Sequence, residues 1–237
     1  MSTPRFLAAM FLATATAPMV EAQQTWPWED TLDRYATGSL IAGQGGWETW
    51  DNNPAFDTIV TNAESFNPPN SLLVSGSANV IRPFPGGAPT GDLYFRVYIP
   101  STHTGEVWLT VPSQYTPGGP YHWAVRVVMC VSACTSPGAV PGQIVNIGGD
   151  GVPGIGSAPL PTDQWFVIWV TYNLPNFGGY DYAVSLNGIL FAPFQPWSGP
   201  GFFSGVNVFS KNGSPAYMDD FLLTLFVPVE LMGFTVD

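Results

Sequence analysis

The stretch Asp92-Leu-Tyr-Phe-Arg-Val-Tyr-Ile99 puts Leu93, Phe95, Val97 and Ile99 on one side of an extended chain and Tyr94, Arg96 and Tyr98 on the other. A two-residue period of this kind marks a strand with one face in a core. Working outward, similar runs recur between turn signals. Upstream, residues 71–74 and 79–83 follow the turn-forming Asn67-Pro-Pro-Asn70; downstream come 106–111, 121–131, 143–147 and 165–172. The last of these is apolar throughout, the pattern of a central strand covered on both faces. Residues 180–186 reverse at Asn187-Gly188 into 189–191, a hairpin signal, and 205–209 and 216–227 complete the series. No segment sustains a 3.6-residue apolar period between caps, and there is no internal repeat or interdomain linker. Many short strands at this spacing predict an all-β, two-sheet antiparallel sandwich.

Composition agrees. Of 237 residues only 10% are charged, while 26 are Gly and 24 Pro. Helical bundles need more charge on their exposed faces; short strands joined by Gly/Pro turns do not. With 46% hydrophobic and 14% aromatic residues the chain can fill a large core, which argues against disorder. Six basic residues against seventeen acidic ones give a formal charge of −11. Such a surface repels phosphate backbones, so nucleic acid is excluded and anionic lipid is a poor partner. A neutral ligand or a cation such as Ca²⁺ suits the charge better.

The N-terminus carries Arg5, an apolar run over residues 6–20, and Ala22 at a suitable cleavage point, the layout of a secretory signal peptide. The run is short and rich in Ala and Thr for a membrane span, though a retained anchor is the alternative. The expected organisation is a signal peptide over 1–22, one domain over 23–227, and a tail or edge strand over 228–237. No later stretch is long and apolar enough to insert in a membrane. Export places Cys130 and Cys134 in an oxidising compartment, where two thiols so close read most simply as a disulfide. A metal site would need further ligands nearby, and a reactive pair would need a flanking base.

Three segments carry a resemblance: Asp33–Ser39 leading into Gly43-Gln-Gly-Gly-Trp-Glu-Thr-Trp-Asp-Asn-Asn-Pro54, then Pro69-Asn-Ser-Leu-Leu-Val-Ser75, and Tyr217-Met-Asp-Asp-Phe221. The chain resembles bacterial secreted proteins of the concanavalin A-like lectin/glucanase (LamG-like) jelly-roll superfamily, within a Gly-Gln-Gly-Gly-Trp subgroup, over residues 28–225. The resemblance implies a concanavalin A-like jelly roll. It leaves the activity open, since the superfamily holds lectins, glycan-binding modules, hydrolases, lyases and structural domains. It also implies a structural Ca²⁺ joining the chain ends, held by Glu29 and Asp30 near the first strand and by Asp219 and Asp220 in the last. The plainer reading is that one carboxylate of each pair faces solvent and the other caps a turn.

Sugar recognition needs flat apolar rings for the C–H face of a pyranose and amides or carboxylates for its hydroxyls. Trp50, Asp51 and Asn52 supply both in one segment, and Tyr121 and Trp123 form a second cluster; Pro196-Trp197 is a weaker third. Core packing is the competing use of such rings. Trp47 and Trp50, three apart, point to opposite faces in an extended chain, so at most one serves as a platform. No alternating Glu-x-Asp-x-Glu run of a retaining glucanase is present, and neither His103 nor His122 sits in a nucleophile motif. Tyr121, His122 and Arg126 resemble a lyase base and carboxylate neutraliser only loosely. The expectation is a secreted, non-catalytic protein binding a neutral glycan. The alternatives are a glycan-cleaving enzyme and a structural or adhesive surface protein.

Overall fold

The computed structural model describes residues 26–88, 90–172, 181–200 and 202–225. The expected signal peptide, the 228–237 tail and Tyr180 lie outside the described residues. The first eight strands are β1 (Trp28–Asp30), β2 (Glu48–Thr49), β3 (Val60–Thr61), β4 (Ser71–Gly76), β5 (Asn79–Ala88), β6 (Gly91–Tyr98), β7 (Glu106–Gln114) and β8 (His122–Cys130). They are followed by β9 (Gln143–Asn146), β10 (Ser157–Pro159), β11 (Trp165–Tyr172), β12 (Asp181–Leu186), β13 (Ile189–Pro196), β14 (Phe203–Lys211) and β15 (Gly213–Thr224). They form two antiparallel sheets of jelly-roll type, as expected. The first runs β13-β12-β11-β6-β15-β4-β3 with β1 also against β15; the second runs β10-β9-β8-β7-β14-β5-β2. Among the described residues no helix is long and apolar enough to cross a membrane.

Alternation builds the core between the sheets. Leu93, Phe95 and Val97 of β6 point inward with Phe166, Ile168 and Val170 of β11 and with Val107, Leu109 and Val111 of β7. The strands missed in the sequence (β1, β2, β3 and β10) have two or three residues each, too few to show a period. One expectation fails. β11 is central, yet its residues alternate between half-buried and buried, so only one face is covered. Its apolar character arises because Trp165, Val167 and Trp169 face outward.

The two ends of the described chain meet at Asp30, which pairs in register with Phe221. Its Oδ2 accepts from the Tyr35 hydroxyl at 2.7 Å, Trp47 Nε1 at 3.0 Å and Arg34 Nη2 at 3.3 Å, and its Oδ1 accepts from Leu32 N–H at 3.1 Å. The fully buried Trp47 ring then packs edge-on to Phe221 at 5.1 Å and to Trp28 at 6.3 Å. The Gly-Gln-Gly-Gly-Trp segment exists to let this happen. A side chain at Gly45 would strike the Tyr35 hydroxyl, and one at Gly46 would meet the Arg82 guanidinium at 2.8 Å; both glycines have positive φ (56° and 81°).

Two further carboxylates pin loops. Glu106 is fully buried and accepts from Ser136 N–H at 2.6 Å and Trp108 Nε1 at 2.9 Å, with Thr135 also donating. Burial opposes its charged form, but the donors from Ser136, Thr135 and Trp108 prevail and hold its pKa at about 2. This ties down the loop after Cys130, which is bonded to Cys134. Asp219 is also fully buried and accepts from the N–H groups of Phe66 (2.9 Å), Asn67 (3.3 Å) and Asp220 (2.8 Å). Here burial dominates, helped by the neighbouring charge of Asp220, and pushes the carboxyl up to about 7.

Asp30→Ala is expected to cost about 3–5 kcal/mol in urea unfolding, because it strands the buried Tyr35 and Trp47 donors; Glu29→Ala, exposed beside it, is expected to change stability by less than about 0.5 kcal/mol. Stability should also peak in mild acid. Glu106, ordinarily near 4.5, contributes stability above that value that is lost as pH falls toward 2. Asp219, ordinarily near 3.8, contributes stability below that value that is lost as pH rises toward 7. Unfolding midpoints measured across a pH series should lose the acid-side fall in Glu106→Gln and flatten on the neutral side in Asp219→Asn.

Candidate functional site

After β2 the chain turns through two short 3₁₀ segments, Trp50–Asn52 and Pro54–Phe56. The first carries Trp50 onto Trp123 of β8, with ring centroids 4.9 Å apart and planes within 23°. Tyr115 lies 4.5 Å from the same Trp50 ring and Tyr121 5.3 Å, edge-on. Backbone hydrogen bonds fix this four-ring group. Asp51 N–H donates to the Tyr115 hydroxyl at 3.1 Å, and Asp51 Oδ1 accepts from Gly118 N–H at 2.9 Å. Asp51 and Asn52 both have positive φ (54° and 55°), tolerable for short polar side chains but not for branched ones.

The expected site residues therefore do come together, with divided roles. Trp50 is only 8% exposed and acts as the pedestal; Tyr121 is 45% exposed and presents its ring; Trp123 is half-buried between them. Asp51 is a structural acceptor for the 115–121 loop, and Asn52 stands exposed beside it. Trp47 lies wholly in the core, as its three-residue offset from Trp50 requires. Trp197 packs against Tyr172 at 3.9 Å and Phe203 at 5.4 Å, so the third cluster is core as well.

Beside these rings lies a charged group. Asp150 Oδ2 accepts from Trp123 N–H at 2.9 Å and sits 4.0 Å from His122 Nδ1, while its Oδ1 is 3.8 Å from Arg126 Nη1. Arg126 also donates to the carbonyls of Gly148 (2.8 Å) and Gly149 (3.0 Å). The Gly-rich loop comes this close only because Gly149 lacks a side chain; a Cβ there would lie 2.7 Å from the Trp123 carbonyl. On the other side of Tyr115 opens a groove of about 490 Å³, walled by Glu48, Phe84, Gly87, Phe202 and Ser204. Phe202 is exposed and rests over Gly87, where a Cβ would approach its own at 2.6 Å.

Tyr115, Phe202 and Asp150 were not singled out in the sequence. Each reaches the site from a different loop, and no local spacing links them. Gly87 and the Gly148-Gly149 pair let another segment approach closely, a use that only the fold reveals.

The carboxylates expected to bind Ca²⁺ do not form such a site. Alternation sends Asp30 inward to Tyr35 and Trp47 and leaves Glu29 on the outer surface; Asp219 is filled by backbone donors, and Asp220 Oδ2 accepts from Arg96 Nε at 3.0 Å and Asn67 Nδ2 at 2.7 Å. Among the described residues no three His, Cys, Asp or Glu groups converge as a metal centre would require. The donor set does not fit the ion, because Asp30, Asp219 and Asp220 are each turned toward donors of the protein itself and not toward one another.

No family model matches the chain, and no curated protein matches it in sequence. Solved structures do match its fold. The potassium-bound carbohydrate recognition domain of Emp46p superposes with a TM-score of 0.52 at 9% identity, covering 84% of this chain and 96% of that one. A galectin-like protein of unknown function from Bacillus subtilis gives 0.50 at 13% identity, covering 81% and 98%. A variant of alginate lyase Aly36B bound to alginate trisaccharide gives 0.50 at 12% identity, covering 85% and 98%. At these identities the likeness is one of fold: this chain has the jelly-roll sandwich of carbohydrate-binding and lyase proteins.

Proposed function

We propose that this is an exported, non-catalytic protein that binds a neutral glycan through the Tyr121–Trp123–Trp50 group and the adjoining groove. The observation that carries the reading is the Tyr121 ring, 45% exposed yet held in place by Trp50 and Trp123. A ring fixed in the free protein loses little entropy when a sugar stacks on it. His122 and Asn52 stand exposed beside it and offer donors and acceptors for hydroxyls. The carbohydrate recognition domain of Emp46p and the alginate lyase share the sandwich, and both are named for carbohydrate ligands, which supports the class of ligand. The net charge of −11 favours a neutral chain over a polyanion such as alginate. Export is supported by the leader-like N-terminal sequence and by the Cys130–Cys134 bond.

The non-catalytic reading is supported by the employment of two carboxylates near the rings. Asp51 holds the 115–121 loop and Asp150 holds the start of β8. A lyase reading would rest on His122, Asp150 and Arg126, but Arg126 is spent on the Gly148 and Gly149 carbonyls and Asp150.

A glycan array followed by titration calorimetry on the best ligand tests this. Tyr121→Ala is expected to weaken binding by about 1–2 kcal/mol, roughly the value of one stacked ring, and Trp123→Ala by at least as much. The same protein incubated with the array polysaccharides should release neither reducing ends nor unsaturated sugars. Product release that His122→Ala abolishes would replace binding with catalysis.

A further inference from the structure

The outer face of the first sheet carries rings where a solvent-facing strand ordinarily carries charge. Register lines them up in rows across the strands. Trp165 of β11 and Tyr217 of β15 both pair with Tyr98 of β6; parallel to them run Trp169, Tyr94, Leu222 and Glu29 on β11, β6, β15 and β1. All the rings are half-buried, with one side to solvent. Tyr94 and Trp169 lie 4.7 Å apart, and the Trp169 ring is fixed by its Nε1 donating to Asp92 at 2.8 Å.

Between the two rows is a cavity of about 370 Å³, within the range of small-ligand sites. Its floor and walls include Glu29, Thr31, Asn67, Tyr94, Arg96 and Asp220. The cavity is built rather than incidental. β15 breaks register between Asp219 and Leu222, and Asp220 adopts φ 50° there. Asp219 grips the backbone of Phe66 and Asn67, which raises that loop into a wall and lays the Phe66 ring 3.6 Å from the Arg96 guanidinium.

The charges narrow the ligand. Arg96 and Asp220 form an ion pair at 3.0 Å and cancel; the exposed Glu29 remains at the mouth. An anion meets that uncompensated carboxylate, and a cation meets Arg96 behind it. A neutral polyhydroxyl compound meets an acceptor in Glu29, a hydroxyl in Thr31, an amide in Asn67 and the face and hydroxyl of Tyr94.

We propose that this cavity is a second sugar-binding site, on the sheet opposite the Tyr121 groove. One residue of a neutral glycan stacks on Tyr94 beside Trp169 and donates its hydroxyls to Glu29, with Thr31 and Asn67 completing the contacts. Two sites on opposite faces would let one molecule bridge two glycan chains, gaining avidity on a polymer that neither site has alone.

The test uses the full exported chain carrying Tyr121→Ala and Trp123→Ala, which disables the first groove. Calorimetric titration with cellohexaose, laminarihexaose and xylohexaose is expected to show one remaining site for at least one of them. Adding Tyr94→Ala should weaken that site at least tenfold, and Glu29→Gln, an exposed and nearly isosteric change, at least threefold with an unchanged melting curve. If Tyr94→Ala fails to fold, Glu29→Gln and Thr31→Ala carry the test. The proposal is overturned if no hexaose binds the first-groove variant, if Glu29→Gln and Thr31→Ala leave affinity unchanged, or if the face instead binds an alginate hexamer or oligolysine. It is also overturned if the face forms a stable dimer that excludes the sugars.

Discussion

A single buried carboxylate organises the meeting of the two ends of the described chain. Asp30 gathers four donors from Leu32, Arg34, Tyr35 and Trp47, and it sits on a strand of three residues that could not hold its place by ladder hydrogen bonds alone. Through Trp47 it reaches the ring cluster of Trp28, Phe221 and Phe95, and so couples β1 and the 31–47 loop to the last strand. Buried charge is costly unless hydrogen-bonded. The cost is met here because Gly45 and Gly46 allow Tyr35 and Arg82 to come close. β2 and the Trp50 segment follow directly from Trp47, so the candidate glycan site inherits its position from this carboxylate.

The two sheets dispose of their outer faces in opposite ways. On the second sheet, Ile81, Trp108, Thr110, Val128 and Asn207 all point away from the shared core and are nonetheless buried. Loops tethered by Glu106 and Arg126 help to cover that side, and the Tyr121 ring stands exposed at its rim. The first sheet is left open, and its outward residues include the rings of Trp165, Trp169, Tyr94, Tyr98 and Tyr217. Both faces use the same device, an aromatic row flanked by a few polar groups, but one is built from loops and the other from strand register.

The carboxylates show why sequence proximity misleads about metal sites. Glu29-Asp30 and Asp219-Asp220 are adjacent pairs, and adjacency suggests a shared cation. In a strand, however, neighbours face opposite sides. Asp30 goes inward to tyrosine and tryptophan donors and Asp219 to backbone amides, while Glu29 and Asp220 face the outer cavity. Protein donors occupy Asp30 and Asp220 Oδ2, and at Asp219 burial and the Asp220 charge are answered by a raised pKa rather than by a cation.

The two-sheet fold was legible in the sequence because alternation is a local property: the 92–99 stretch shows it, and β11 matches its expected limits at Trp165 and Tyr172. The Asn187-Gly188 turn and the Cys130–Cys134 bond were legible for the same reason, since the partners are close along the chain. Tyr121, Trp123 and Trp50 could be named as candidates, and the opposite fates of Trp47 and Trp50 followed from their spacing. What the tertiary structure alone decided is which rings are pedestal and which are surface, that Tyr115 joins them, that β11 is open on one face, and that Glu29 stands in one row with Tyr94 and Trp169. Those facts depend on the register between strands distant in sequence. Register is set by the packing of the whole sandwich, which no single segment encodes.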